Sequence, residues 1–215
     1  MQVMILAAGK SSRLGPLGAL RPKPLVPICG YPAIVYGLGL CAAAGLRDVV
    51  INLHHHGEQI RAAVGDGARF GVSVAYSEER ELLGTGGGLS HARHLFRPGP
   101  VLVMNGKVVA DLDLASLCRV HAAAANTQAT MLLRDNPNPK LFPPISLDEN
   151  DNVIGLRGET FGTPAVVRDF MFTGVHIMAP ALLDRLPSGE SDVLSAAYRP
   201  ALLEGACMQG LRMSG

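Results

Sequence analysis

Charge is scarce in this sequence and nearly balanced: 17% of its 215 residues are charged, and the formal net charge is +1. With no basic run standing out, general binding to nucleic acid or another polyanion is not expected. The four cysteines, Cys29, Cys41, Cys118 and Cys207, lie far apart and form no C-x-x-C pair. Free reduced thiols, with Cys41 and Cys118 inside helical stretches, and a bacterial-type cytoplasm are therefore expected. The opening apolar stretch, MQVMILAAG, lacks a basic leader and is too short for a signal peptide or a membrane span, so no membrane partner is expected. There is no internal repeat and no linker long enough to separate independent domains. Apolar residues, by contrast, make up 48% of a 22.6 kDa chain. That is enough to bury a core as one domain and to exclude wholesale disorder.

Short apolar runs alternate with helical patterns through the first 134 residues. QVMILAA (2–8), RDVVINL (47–53), VSVAYS (72–77), PVLVMN (100–105) and TQATMLLR (127–134) read as strands. Helices are expected over YPAIVYGLGLCAAAG (31–45), GEQIRAAVG (57–65), GGGLSHARHLF (86–96) and LDLASLCRVHAAAA (112–125). Nearly continuous apolar strands alternating with helices predict an α/β fold with a mainly parallel sheet covered by helices on both faces. After Arg134 the rhythm changes to a proline-rich loop, DNPNPKLFPP, and a hairpin turning at Glu149 to Asn152. A strand, FMFTGVHIMA (170–179), and a proline-broken helix over 191–205 complete the chain. The expected organisation is one domain, 1–215, with a nucleotide-binding half (1–134) and a second half (135–215) that closes over a substrate.

The densest chemical signal is LAAGKSSRLGPLGALRPKPLVP, residues 6–27. A strand expected to end at Ala8 meets a turn of small residues, which lets backbone N–H groups approach phosphate oxygens without obstruction. Arg13 and Lys23 add positive charge, and Pro22 and Pro24 hold the backbone around Lys23 extended. The alternative is a surface loop with solvated cations, but strand, turn, arginine and proline-bracketed lysine occur together in one order. Two other phosphate motifs fail on spacing. A P-loop needs glycine five positions before Gly9, where Met4 stands, and a dinucleotide fingerprint needs glycine where Ser11 stands. A second glycine-lined turn, GTGGG, opens a helix at Gly84, Thr85 and Gly86. Three consecutive histidines, His54 to His56, point in different directions after a strand end and read as a polar loop.

Taken together, these segments resemble the signature of the sugar-1-phosphate nucleotidyltransferases. LAAGKSSRLGPL with RPKPLVPICGYP carries the resemblance, and LLGTGGGL, NGKVVADLDL, RDNPNP and FTGVHIM follow in the family's order. The likeness covers essentially the whole chain and is strongest to short bacterial members that join UTP to N-acetylmuramate 1-phosphate or GTP to mannose 1-phosphate. It implies a Rossmann-like nucleotidyltransferase fold with a mixed sheet and the ligand at the carboxyl ends of the first strands. It implies nucleotidyl transfer from UTP or GTP to a sugar 1-phosphate, giving an NDP-sugar and pyrophosphate. Leu6, Ala7, Ala8 and Gly9 would hold the nucleotide, with Asn105 and Gly106. Arg13 would hold the leaving pyrophosphate, and Lys23 would bridge the reacting phosphates; these two are the expected catalytic residues. Gly84, Thr85 and Gly86 would admit the flat nucleobase. Gly87, Asn136, Glu159, Thr173 and Gly174 would face the sugar, with a solvated loop carboxylate the alternative for Glu159. A molybdenum-cofactor-type nucleotidyltransferase shares the AAGKSSRLG opening, but the proline-bracketed Lys23 followed by PLVPICGYP fits the sugar group better.

The resemblance also exposes a departure. In the family, the Asn-Gly turn is followed by an aspartate that binds a divalent cation, usually Mg²⁺, whereas here Asn105 and Gly106 are followed by Lys107. Two like unit charges ~4 Å apart repel by about 4 kcal/mol at an effective dielectric near 20. The family's second metal-binding aspartate would lie beyond LRMSG. Asp111 and Asp113 are expected to serve the next helix start. Three explanations follow: an altered or trimmed active enzyme, a catalytically silent sensor or scaffold for nucleotide or NDP-sugar, or a lysine that pairs directly with phosphate. One lysine cannot reproduce the geometry or double charge of Mg²⁺.

Overall fold

The computed structural model describes residues 1–162 and 166–213. β1 (Gln2–Leu6) leads through a short helix, α1 (Pro16–Leu20), and a small ribbon, β2 (Pro27–Ile28) with β3 (Tyr31–Pro32), into α2 (Ala33–Ala43). Then β4 (Asp48–Leu53), α3 (Gly57–Val64), β5 (Ser73–Glu78), α4 (Gly84–His91), β6 (Val101–Asn105) and α5 (Leu114–Ala123) alternate. β7 (Ala129–Asp135), β8 (Ile145–Leu147), β9 (Val153–Leu156), β10 (Glu159–Thr160) and the long β11 (Arg168–Met178) follow. The chain continues through α6 (Pro180–Leu183) and α7 (Arg199–Leu203) to β12 (Met208–Arg212).

The main sheet runs β10-β9-β8-β11-β6-β1-β4-β5, with β7 pairing both β11 and β12. β6, β1, β4 and β5 are parallel to one another. β11 is antiparallel to β6, β7 and β8, which makes the sheet mixed. Side chains alternate across it as the pleat requires. Val3 and Ile5 of β1 enter one core with Ile34 and Leu38 of α2, Ile60 of α3 and Leu117 of α5. Met4 points to the opposite core, with Leu89 of α4, Leu182 of α6, Tyr198 and Ala201 of α7. The fold is therefore an α/β sandwich of Rossmann type. Each fully buried Leu, Ile or Met contributes roughly 1.5–3 kcal/mol relative to exposure, so an aspartate at Ile5 would break the sheet's centre.

Local chemistry moved several boundaries. Helix α2 starts at Ala33 instead of Tyr31, because Pro32 disfavours helical backbone at the residue before it, and Tyr31 pairs with Ile28. β1 stops at Leu6, since the Ala7 N–H leaves the ladder for a side chain of β4. α4 gives way after His91 to a 3₁₀ turn, Ala92–Leu95. The expected helix over 191–205 is a π turn, Leu194–Tyr198, followed by α7 with Pro200 near its start, where a missing N–H costs least. β12 was not legible: MQGLR is short and broken by polar and glycine residues, and its pairing with β7 is long-range.

Candidate functional site

Three strand ends build the floor of a cleft. Leu6 lies in register with Asn52 across β1–β4 and with Asn105 across β1–β6, and all three line a cavity of ≈ 380 Å³. The chain runs outward from β1 to β4 and β5 on one side and returns to β6 on the other. The cleft thus sits at the carboxyl ends of parallel strands where the strand order reverses, the usual place for a ligand in such sheets.

The wall is the loop after β1. Ala7 and Ala8 are buried, and a Cβ at Gly9 would meet nothing within 4 Å, so the backbone there borders open space. Ser11 adopts left-handed backbone (φ 59°), is 5% exposed, and its Oγ accepts the Lys23 N–H at 2.8 Å. That bond clips the two ends of the loop together and holds Lys23 beside the cleft. Gly18 completes the clip, because a Cβ there would lie 2.4 Å from the Ser11 carbonyl oxygen.

A buried polar relay joins this loop to the second glycine segment. The Ala7 N–H donates to Asn52 Oδ1 at 2.7 Å, and Asn52 Nδ2 donates to Glu79 Oε1 at 2.7 Å. Glu79 Oε2 then accepts the Leu83 N–H at 3.1 Å, one residue before α4. Asn52 and Glu79 are 2% and 6% exposed, so the bonds are protected from water and fix the spacing of the two loops. Neither residue was singled out in the sequence; the available signal was a polar residue at the end of each apolar strand. Gly88 leaves room for the relay, since a Cβ there would lie 2.8 Å from both Asn52 Nδ2 and Glu79 Oε1.

The glycines of GTGGG, expected to admit a flat ring, make close contacts with the backbone of 189–191. Gly84 and Thr85 line the cleft, whereas Gly86 and Gly87 do not. A Cβ at Gly84 would lie 2.5 Å from the Ser191 carbonyl oxygen, and one at Gly87 would lie 2.0 Å from that of Gly189. The missing side chains admit the backbone of 189–191. Gly86 N–H donates to Ser191 O at 2.8 Å, and Thr85 Oγ1 accepts the Val193 N–H at 2.9 Å.

Arg13, Lys23 and Lys107 line the cleft together, with Lys10, and among the described residues no carboxylate lines it. None of the three enters an ion pair among the described residues. Lys107 is placed by the Asn105–Gly106 turn. Gly106 donates to Leu6 O at 2.9 Å, and a Cβ there would press on Ile5, Leu6 and Pro24 at 3.1–3.4 Å. Gly106 thus positions the turn from beneath and does not itself line the cleft. Desolvation pushes the Lys107 pKa down, and the charges of Lys23 and Arg13 push it further. Lys23 is lowered in the same way, by desolvation first and then by Arg13. This donor set does not fit Mg²⁺, which takes hard oxygen ligands and is repelled by ammonium groups. Asp113 is committed elsewhere: its Oδ1 accepts the Ser116 N–H at 2.8 Å as the N-cap of α5.

The residues expected to face a sugar are not gathered into the cleft lining. Thr173 and Gly174 form a bulge in β11, where Thr173 Oγ1 donates to Leu132 O at 2.8 Å. Gly174 abuts the cleft floor from behind, since a Cβ there would lie 2.1 Å from Asn105 Nδ2. Glu159 is held by Arg199 through two bonds of 2.7 Å, and Asn136 Nδ2 donates to Phe142 O at 2.8 Å within its own loop. Among the histidines, the His54 ring bonds Glu79 O and the His56 ring bonds Ala19 O, so the triplet ties loops together.

Residues 2–167 match the nucleotidyl transferase family. The chain is 37% identical to the N-acetylmuramate alpha-1-phosphate uridylyltransferase of Neisseria meningitidis, covering 88% of this chain and 85% of that one. It is 31% identical to the mannose-1-phosphate guanylyltransferase of Mycobacterium tuberculosis, covering 96% of this chain and 57% of the relative; it therefore spans little more than half of that longer protein. HddC of Yersinia pseudotuberculosis, solved with GMP-PN, shares the fold with a TM-score of 0.77 at 19% identity, covering 99% of this chain and 90% of that one. With the phosphate-type loop, the strand-end cleft and these relatives in agreement, this chain belongs to the nucleotidyl transferase family, among the sugar-1-phosphate nucleotidyltransferases.

Proposed function

We propose that this chain transfers a nucleotidyl group from UTP or GTP to a sugar 1-phosphate, releasing pyrophosphate, and that Lys107 lowers its rate. The observation that carries the reading is the convergence of the Ala8–Gly9 backbone, Arg13 and Lys23 on one cleft at the strand ends. The sugar phosphate oxygen attacks the α-phosphorus, the bond to the β-phosphate oxygen breaks, and pyrophosphate leaves. Such transfers depend on positioning and on neutralising crowded anionic charge. Arg13 and Lys23 supply fixed positive charge for the phosphates, and the Asn52–Glu79 relay holds the loops that carry the nucleotide. Residues 1–134 serve the nucleotide and 135–215 the sugar, with the Thr173–Gly174 bulge behind Asn105 linking the two. No step is assigned to Mg²⁺, because the cleft residues do not suit it.

A second reading is a silent binder of nucleotide or NDP-sugar, favoured by a cleft lining that holds no carboxylate among the described residues. One experiment separates the two: pyrophosphate release with a panel of nucleoside triphosphates and sugar 1-phosphates, beside calorimetric nucleotide binding. Release specific to one pair is the expected result and names the substrates. Binding without release for every pair would establish the silent binder.

A further inference from the structure

We propose that this cleft binds the phosphates of its nucleotide free of metal, with Lys107 supplying at the phosphates the charge that a bound cation would otherwise bring. The inference rests on the nucleotide reading above and concerns the form in which the nucleotide is held.

Three observations carry it. Lys107 does not turn away from the site; it lines the same cavity as Arg13 and Lys23. Among the described residues no acidic side chain lines that cavity, and none of these three cations has an ion-pair partner. The turn that presents Lys107 is tightly built, with Gly106 wedged against Ile5, Leu6 and Pro24. Like charges gathered around one cavity repel one another while it is empty, and a bound anion of several charges offsets that repulsion.

The number of charges decides the form of that anion. A free triphosphate carries about four negative charges at neutral pH and can satisfy all four cations of the lining, Lys10, Arg13, Lys23 and Lys107. Its Mg²⁺ complex carries about two fewer and brings a dication toward an ammonium, so the cleft should favour the metal-free form by simple Coulomb attraction. A divalent cation should compete with the protein for the phosphates instead of bridging them. The lysine does not reproduce the coordination geometry of a metal ion; binding requires only its charge and its N–H donors.

The test is calorimetric titration of inorganic tripolyphosphate, UTP and GTP into the whole chain, in EDTA and then in excess Mg²⁺. The expected result is binding in EDTA at least as tight as in Mg²⁺. Lys107→Met should weaken the metal-free binding tenfold or more, and Lys107→Asp should make binding depend on Mg²⁺. Wild-type binding that is tenfold tighter with Mg²⁺ would overturn this inference and leave the nucleotide reading standing. Unchanged metal-free affinity in a folded Lys107→Met would do the same. No binding of any of the three under either condition would remove both. The wild-type titrations alone decide the point if a variant fails to fold.

Discussion

Arg13, Lys23 and Lys107 share one cleft that no carboxylate lines among the described residues, whereas every arginine after residue 135 is matched to an acid. Arg157 pairs with Asp192, Arg168 and Arg212 with Asp151, Arg185 with Glu204, and Arg199 with Glu159. The two regions use the same residue types for opposite ends. In the second half, cations close loops and fasten the helices after β11 to the sheet. In the first, a clipped loop and a tight turn hold them around one cavity with no ion-pair partner among the described residues, an arrangement suited to an anion from outside. Among the described residues, unpaired cations such as Lys140 occur elsewhere, so it is convergence on one cavity that sets these three apart, whereas most of the GTGGG glycines pack against 189–191.

The strongest challenge to this contrast is removal of an unmatched cation. Lys23→Ala should weaken nucleotide binding by about 1.5–3 kcal/mol, roughly 10- to 150-fold in Kd by calorimetry, with no loss of apo stability. A drop in melting temperature with unchanged Kd would mean that Lys23 is structural after all. Next in size, Gly87→Ala places a Cβ against the Gly189 carbonyl and should cost about 1–3 kcal/mol, lowering the melting temperature by about 2–12 °C. An unchanged melting curve would dismiss the packing role given to GTGGG.

A smaller effect appears with pH. Lys107 has a folded-state pKa below its unfolded value, so its charged form opposes folding at neutral pH, and the cost is relieved as pH rises through the lowered pKa. Apo Lys107→Met should therefore be more resistant to urea than wild type at pH 7. Its advantage should fade as the pH approaches the ordinary lysine value of 10.5. A gap that widens with pH would contradict the desolvation, and with it the neighbouring charges, that lower this lysine's pKa. The smallest effect belongs to the matched region. Glu159→Gln loosens an exposed pair with Arg199 and should leave both the melting temperature and the Michaelis constant for the sugar phosphate unchanged. A rise in that constant would return Glu159 to the sugar site.

The alternation of apolar strands and helices, the phosphate-type loop from Leu6 to Pro27 and the oddity at Lys107 are all legible in the sequence, because each rests on local spacing and residue type. Even the mixed sheet is foreshadowed by the change of rhythm after Arg134. Asn52 and Glu79 are not legible as a pair: one lies in β4 and the other just past the end of β5, and only the parallel register of β1, β4 and β5 brings the Ala7 N–H, the amide and the carboxylate into line. β12 is hidden for the same reason, being a strand only because β7 offers it an edge. The fate of GTGGG and of Glu159 depends on what packs against them, and nothing in their own sequence names Gly189, Ser191 or Arg199 as neighbours. The family, the phosphate-type loop and the lysine that follows Asn105-Gly106 can be read from residue type and spacing alone. The tertiary structure alone decided that this lysine lines the cleft with Arg13 and Lys23, because charges far apart in the chain act on one another only after folding makes them neighbours.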